Sequence, residues 1–317
     1  MPTLTILLNN ELPPDFRAEI AAAVPQVVFL RAEDIAEDPS LLAQVEIVYG
    51  GLEREQWAHA PRLCWVQTTW AGVEGLLTPE AQAHPARITN AHIHAEPIAE
   101  HLFAMLLALV RALPTAWAQQ QDQRWDSGPL RHQVRSLQGS TLGLLGLGAI
   151  GQRAAAIGHA FGMRVIGLRR RTGAVPGVAQ VFTESQKEEM LAQCDVLMNT
   201  LPLTPHTLHF IGAAELTVMP RHLLLLNVGR GGTIDTTALV DALQTGEIAG
   251  AALDVTDPEP LPPDHPLWRL PQVLITPHYA GQHPDNPRRA AQLFLDNLRR
   301  YLADEPLCNV VDKASGY

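Results

Sequence analysis

Three short segments carry side chains suited to proton transfer and anion binding: NVGRGGTID with Arg230, ALDVTDPEPLP with Glu259, and TPHYAGQ with His278. A planar guanidinium grips carboxylate or ketone oxygens through paired hydrogen bonds, which an ammonium cannot do. An imidazole releases a proton near neutrality, and a carboxylate beside it favours the protonated form. Each of these residues is unremarkable alone, since arginines sit in glycine turns, glutamates among prolines and histidines after prolines for purely structural reasons. Here all three follow short apolar runs, and in an open α/β sheet the residues just beyond the carboxyl ends of strands face the ligand crevice.

A fourth segment, STLGLLGLGAIGQRAAAIGHAFGMRVIGLRRRTG, spaces Gly146, Gly148 and Gly151 as GxGxxG. It lies between an apolar run and a pattern in which Ile150, Ala154, Ile157 and Phe161 recur at helical spacing. That context identifies a dinucleotide turn. Gly146 permits the bend, Gly148 lets the backbone approach a pyrophosphate, and Gly151 lets helix and strand pack closely. The pyrophosphate then meets free N–H groups at the positive end of the helix. Roughly twenty residues on, where an acidic residue would bond the adenosine ribose, stand Arg169, Arg170 and Arg171. Arginine there attracts a 2′-phosphate, so the expected cofactor is NADP(H), with NAD(H) as the alternative.

These turns need a scaffold. Apolar runs at Leu4–Leu8, Val27–Leu30, Ile47–Tyr49, Cys64–Gln67 and Arg87–Thr89 alternate with helical patterns, which predicts βαβ units on a parallel sheet. EPIAEHLFAMLLALVRAL, apolar on nearly every side, predicts a helix over Pro97–Ala112 that must be covered between domains or subunits. After a polar stretch from Gln119 to Gln138, six strands are expected at Thr141–Leu145, Arg164–Leu168, Val196–Asn199, Leu223–Asn227, Ala249–Asp254 and Val273–Thr276. Asn286 and Pro287 predict the N-cap and first turn of a last helix whose Ala290, Phe294, Leu298 and Tyr301 or Leu302 share one face. It is expected to return to the first domain, the two chain crossings forming a hinge.

Composition sets outer bounds. The 317 residues, 46% of them hydrophobic, suit two cores. A net charge of -10 argues against a nucleic-acid footprint or an anionic membrane surface. Cys64, Cys194 and Cys308 are three in number and widely spaced, which predicts reduced thiols in a cytoplasmic protein. The longest apolar stretch, Leu102 to Val110, is too short for a membrane span, and no export signal is read at the amino end. The histidine pairs His92 and His94, and His206 and His209, lack a completing carboxylate or thiol, so no metal is expected.

Taken together, GLGAIGQ, PLTPHT, NVGRGG, AALDV, the PEPLP segment and TPHYAG resemble, in order and spacing, the D-isomer-specific 2-hydroxyacid dehydrogenase family along essentially the whole chain. LRRRTGAVPG most resembles the glyoxylate and hydroxypyruvate reductase branch, where NADPH is the usual partner. The resemblance implies an α/β protein of two doubly wound parallel-sheet domains. A Rossmann nucleotide domain, residues 95–284, is inserted in a flavodoxin-like substrate domain, residues 1–94 and 285–317. It makes Arg230 the group that holds the substrate carboxylate and polarises the 2-carbonyl, His278 the proton donor and Glu259 its acidic partner. Cofactor contacts are implied at Gly146, Gly148, Ala149, Ile150, Gly151, Arg169, Arg170, Arg171, Leu201, Pro202, Thr207, Val228, Gly229, Arg230, His278 and Asp254, the last to the nicotinamide carboxamide. Substrate contacts are implied at Trp70, Ala71, Gly72, Val73, Arg230 and His278. Two departures bear on the substrate: Trp70 stands where the family usually carries a smaller residue, and Gln282 and His283 follow TPHYAG where Ser or Thr and an acidic residue are commoner. The implied activity is NADPH-dependent reduction of a small 2-oxoacid to the D-2-hydroxyacid by a cytoplasmic homodimer with domain closure. NAD-dependent oxidation in the reverse direction is the enzymatic alternative. A non-catalytic nucleotide-sensing protein is the other, since transcriptional corepressors share this fold.

Overall fold

Apolar runs of three to five residues become strands here because both faces of each sheet are covered, so neither face of the strand calls for polar side chains. The computed structural model describes residues 3–314 and 316, and the chain divides into two units, one running to His94 and resuming at His283, the other spanning Ala95–Gln282. The first unit opens with β1 (Leu4–Leu8), α1 (Pro14–Ala23), β2 (Val27–Arg31), α2 (Ala32–Glu37), β3 (Ile47–Tyr49), β4 (Trp65–Gln67), α3 (Pro79–Ala83) and β5 (Arg87–Thr89). Its five parallel strands run in the order β2-β1-β3-β4-β5, the flavodoxin-like order. Along β1 the side chains alternate: Leu7 enters a core with Ile35, Val48 and Trp57, while Leu4, Ile6 and Leu8 enter another with Phe16 and Ile20.

The second unit contains α4 (Ala95–Val110), α5 (Leu113–Gln121), α6 (Gly128–Arg131), β6 (Thr141–Leu145), α7 (Ala149–Ala160), β7 (Arg164–Leu168), β8 (Gln180–Phe182), α8 (Lys187–Leu191), β9 (Val196–Asn199), α9 (Ala213–Val218), β10 (Leu224–Asn227), α10 (Thr236–Thr245), β11 (Gly250–Leu253) and β12 (Val273–Ile275). The sheet order is β12-β11-β10-β9-β6-β7-β8, all parallel. Seven strands replace the six expected. β8 has only three residues, one of them Gln, and is carried by its pairing with β7 rather than by an apolar pattern of its own. Leu102, Phe103 and Leu106 of α4 and Ala154 of α7 cover one face, and Met190, Leu191, Leu216, Leu239 and Leu243 the other.

α4 lies two residues earlier and is less enclosed than its sequence suggested. It ends at Val110, and Ala112 takes a left-handed φ of 54°. Pro97, Ala99, Leu102, Phe103, Met105, Leu106 and Val110 are buried, whereas Glu96, Glu100 and Ala104 are exposed, so cover is needed on one side rather than all round.

The last element, α11 (Asn286–Leu302), belongs to the first unit and packs on the α1 side of its sheet. Asp285 rather than Asn286 occupies the N-cap position. Ala290, Ala291, Phe294, Leu295 and Leu298 are buried, and Leu302 lies outside that face. Phe294 meets the rings of Tyr49 and Trp65 at centroid distances of 4.8 and 5.2 Å. Among the described residues no single helix is long and apolar enough to cross a membrane.

Candidate active site

The strand order of the second unit reverses direction at β6, whose neighbours are β7 and β9. Ligand crevices of open α/β sheets form outside the carboxyl ends at such a point. There β6 passes through Gly146, with a φ of 92°, into α7. A Cβ on Gly151 would fall 2.0 Å from the Gly146 carbonyl oxygen, so only glycine lets this helix start against its own turn. Gly148 is the N-cap, gives the helix no side-chain acceptor, and has no heavy atom within 4 Å of where its Cβ would be. An open, uncapped helix start of this kind fits a pyrophosphate.

The arginine loop divides its labour. Arg169 is half-buried and turns back on the loop, donating from Nη2 to the Gly173 carbonyl at 2.9 Å. Arg170 and Arg171 are exposed.

Arg230 sits in the turn after β10, over a buried amide network. Asn199, at the end of β9, donates from Nδ2 to Asn227 Oδ1 at 3.0 Å and to Thr233 Oγ1 at 2.6 Å. Its Oδ1 accepts the Leu201 N–H at 3.2 Å. Asn227 Nδ2 and Thr233 Oγ1 donate in turn to the Arg230 carbonyl, at 3.1 and 2.5 Å. Asn199, Asn227 and Thr233 are no more than 1% exposed. A buried amide left without its partner costs about 1–3 kcal/mol, so the network holds only as a whole and fixes the loop at Leu201 and the turn at Val228, Gly229 and Arg230 together. The Arg230 guanidinium reaches the Gly229 carbonyl at 2.8 Å. Farther along the β9 loop, Thr207 Oγ1 donates to the Pro202 carbonyl at 2.6 Å.

β10, β11 and β12 are neighbours with Asn227 opposite Leu253 and Leu253 opposite Ile275. The chain therefore leaves all three strands from one edge, toward Arg230, Asp254 and His278. His278 takes a left-handed φ of 49°, a conformation costing of order 1–3 kcal/mol outside glycine. Asp254 holds it there. Its backbone carbonyl accepts the His278 N–H at 2.9 Å, and its carboxylate, 3% exposed, accepts the N–H groups of Tyr279 and Ala280 at 3.1 and 3.0 Å. Glu259 comes from the loop after β11, and its Oε1 lies 2.5 Å from His278 Nδ1. With Nδ1 engaged, Nε2 is the ring nitrogen left to face a reactant.

Trp70, Ala71, Gly72 and Val73 belong to the other unit, beyond the carboxyl end of β4. The Ala71 carbonyl accepts from Asn90 Nδ2 at 2.7 Å, and the Trp70 carbonyl accepts from Thr68 Oγ1 at 2.7 Å and from the Ala91 N–H at 3.0 Å. Among the described residues, the N–H groups of Ala71, Gly72 and Val73 make no hydrogen bond. The Trp70 ring lies against Gly51, where a Cβ would come within 3.2 Å. His283 Nδ1 accepts the Asp285 N–H at 3.1 Å, in the turn before α11.

The sequence reading missed Asn199, Asn227 and Thr233. A polar residue closing an otherwise apolar strand, as Asn does in VLMN and LLLN, was the available signal.

The family model for the D-isomer specific 2-hydroxyacid dehydrogenase NAD binding domain matches residues 103–280. A glyoxylate reductase of Aeropyrum pernix is 36% identical over 263 residues, which covers 81% of this chain and 78% of that protein. The crystal structure of a D-isomer specific 2-hydroxyacid dehydrogenase from Xanthobacter autotrophicus Py2, in complex with NADPH and MES, aligns with a TM-score of 0.84 at 31% identity over 100% of both chains. An NADPH-dependent glyoxylate/hydroxypyruvate reductase from Sinorhizobium meliloti, in complex with NADP and sulfate, aligns with a TM-score of 0.84 at 26% identity, covering 99% of this chain and 100% of that one.

Proposed function

The chain belongs to the D-isomer specific 2-hydroxyacid dehydrogenase family, and from that premise we propose that it reduces a small 2-oxoacid, of the glyoxylate or hydroxypyruvate kind, to the D-2-hydroxyacid with NADPH preferred over NADH. That it is an NAD(P)-dependent oxidoreductase follows from the family itself. The observation that carries the mechanism is the pairing of His278 Nδ1 with Glu259 at 2.5 Å, on loops leaving the same sheet edge as Arg230.

The reduced nicotinamide, when bound, supplies the hydride. His278 holds a proton on Nε2 and gives it to the ketone oxygen as negative charge develops there. Glu259 fixes the ring through its contact with Nδ1. Arg230 grips the carboxylate and carbonyl oxygens and stabilises the developing alkoxide. The turn at Trp70, Ala71, Gly72 and Val73 offers its N–H groups to a carboxylate. Gly146, Gly148, Ala149, Ile150 and Gly151 receive the pyrophosphate on the α7 start, while Leu201, Pro202, Thr207, Val228 and Gly229 line the nucleotide beyond it. Arg170 and Arg171 bind the 2′-phosphate. Arg169 shapes their loop, consistent with its bond to Gly173.

A panel of glyoxylate, hydroxypyruvate and larger 2-oxoacids, each run with NADPH and NADH, tests the proposal. The highest kcat/KM is expected for a small oxoacid with NADPH, giving a D product by chiral chromatography. A higher kcat/KM with NADH would overturn the cofactor assignment. Binding of NADPH without turnover of any oxoacid would point instead to a nucleotide sensor.

A further inference from the structure

The turn that carries His278 is braced by a residue outside the catalytic set. His101, on α4, places Nε2 3.0 Å from Thr276 Oγ1, and its ring meets Tyr279 edge-on with centroids 4.8 Å apart. Thr276 Oγ1 lies 2.7 Å from Asp254 Oδ1. A hydroxyl has one proton and a carboxylate only accepts. Thr276 therefore donates to Asp254, and His101 carries its proton on Nε2 and donates to Thr276. The line of donors ends on the carboxylate that takes the N–H groups of Tyr279 and Ala280, in the residue whose carbonyl takes the N–H of His278.

We propose that His101 is a positioning residue for the reaction: through Thr276 it orients the Asp254 carboxylate and so sets the turn that presents the His278 imidazole. This rests on the reading of His278 as proton donor. The left-handed φ of His278 persists only while surrounding bonds over-determine it. Releasing Asp254 from Thr276 and His101 leaves that carboxylate held only by the N–H groups of the turn it braces, and the imidazole moves with that backbone. Proton transfer is steep in such displacements.

The test compares His101→Phe, Thr276→Val and their combination, each with and without His278→Ala. Each single change is expected to lower kcat about tenfold. His101→Gln, which keeps an N–H donor, restores most of it. The combination is no worse than the worse single change, because both break one line of bonds. Beside His278→Ala, His101→Phe has no further effect. An equal loss with and without His278 would make His101 a general structural residue and overturn the proposal, as would parental kcat in folded His101→Phe and Thr276→Val. The smaller change, Thr276→Val, keeps the test readable if the larger ring unfolds the chain. Parental kcat in His278→Ala alone would overturn the proton-donor reading and this proposal with it.

Discussion

Two stretches of one sheet edge are built in opposite ways. Beyond β9 to β12, the turns bearing Arg230 and His278 rest on Asn199, Asn227, Thr233 and Asp254, all at most 3% exposed, with side-chain bonds that cross from strand to strand. Beyond β7, the arginine loop is mostly exposed and is tied by the Arg169 guanidinium to its own carbonyls. The difference suits what the proposed function asks of each. A proton donor and an oxyanion clamp need fixed geometry, which satisfied buried polar networks supply. A phosphate is gripped through charge by flexible side chains that adapt to it. On the proposed function, chemistry is thus placed on the rigid stretch and cofactor choice on the soft one.

The largest expected effect falls on the rigid stretch. His278→Ala should lower kcat on the best 2-oxoacid by about 10² to 10⁴, while the Kd for NADPH stays near the parental value. Steady-state kinetics with fluorescence titration of the dinucleotide checks both. A variant retaining more than about a tenth of the parental kcat would break the comparison, because a replaceable proton donor has no need of so elaborate a seat.

A middle-sized effect belongs to the soft stretch. Arg170→Ala should lower kcat/KM for NADPH about tenfold, the lower end for a charge-assisted bond because the group is exposed, and leave the value for NADH unchanged. Parallel losses with both cofactors would show that Arg170 serves the loop rather than the 2′-phosphate. Rising ionic strength should weaken NADPH more than NADH, since exposed charges are screened.

How legible was this in the sequence? The alternation of apolar runs and helical patterns marked the strands and both sheets, since a strand covered on both faces writes itself as a continuous apolar run. The glycine turn and the motifs at Arg230, Glu259 and His278 were visible because backbone geometry there dictates residue type over a few positions. β8 was not legible, for its three residues depend on β7. Nor were the supports beneath the turns. Asn199 and Thr233 are 34 residues apart, and His101 and Thr276 are 175 apart. Bonds across such separations leave no local periodicity, and α4 drew attention for its apolar residues while its one inward polar residue, His101, went unassigned.

The smallest effect is a slope in stability with pH, and it asks whether His101 truly belongs to the rigid stretch. Burial holds its imidazole below the usual value of 6.5, the neighbouring Asp254 carboxylate opposing that shift only in part. The unfolded chain takes up this proton near 6.5, the folded chain only at lower pH. Between the two the unfolded state binds more protons, so the contribution is fully present above 6.5 and is lost as pH falls through the folded value. His101→Gln keeps a donor for Thr276 but does not titrate. The urea midpoint of the parent, measured against that of His101→Gln, should therefore fall between about pH 8 and about pH 5.5. His84 and His92, also held down by burial, remain in both proteins and cancel in the difference. A difference that stays flat with pH would mean that the imidazole is solvated in the folded chain, and His101 would then belong with the arginine loop among the loosely held residues. A difference growing toward acid would mean that the folded state holds the proton more tightly, with the Asp254 pairing outweighing burial.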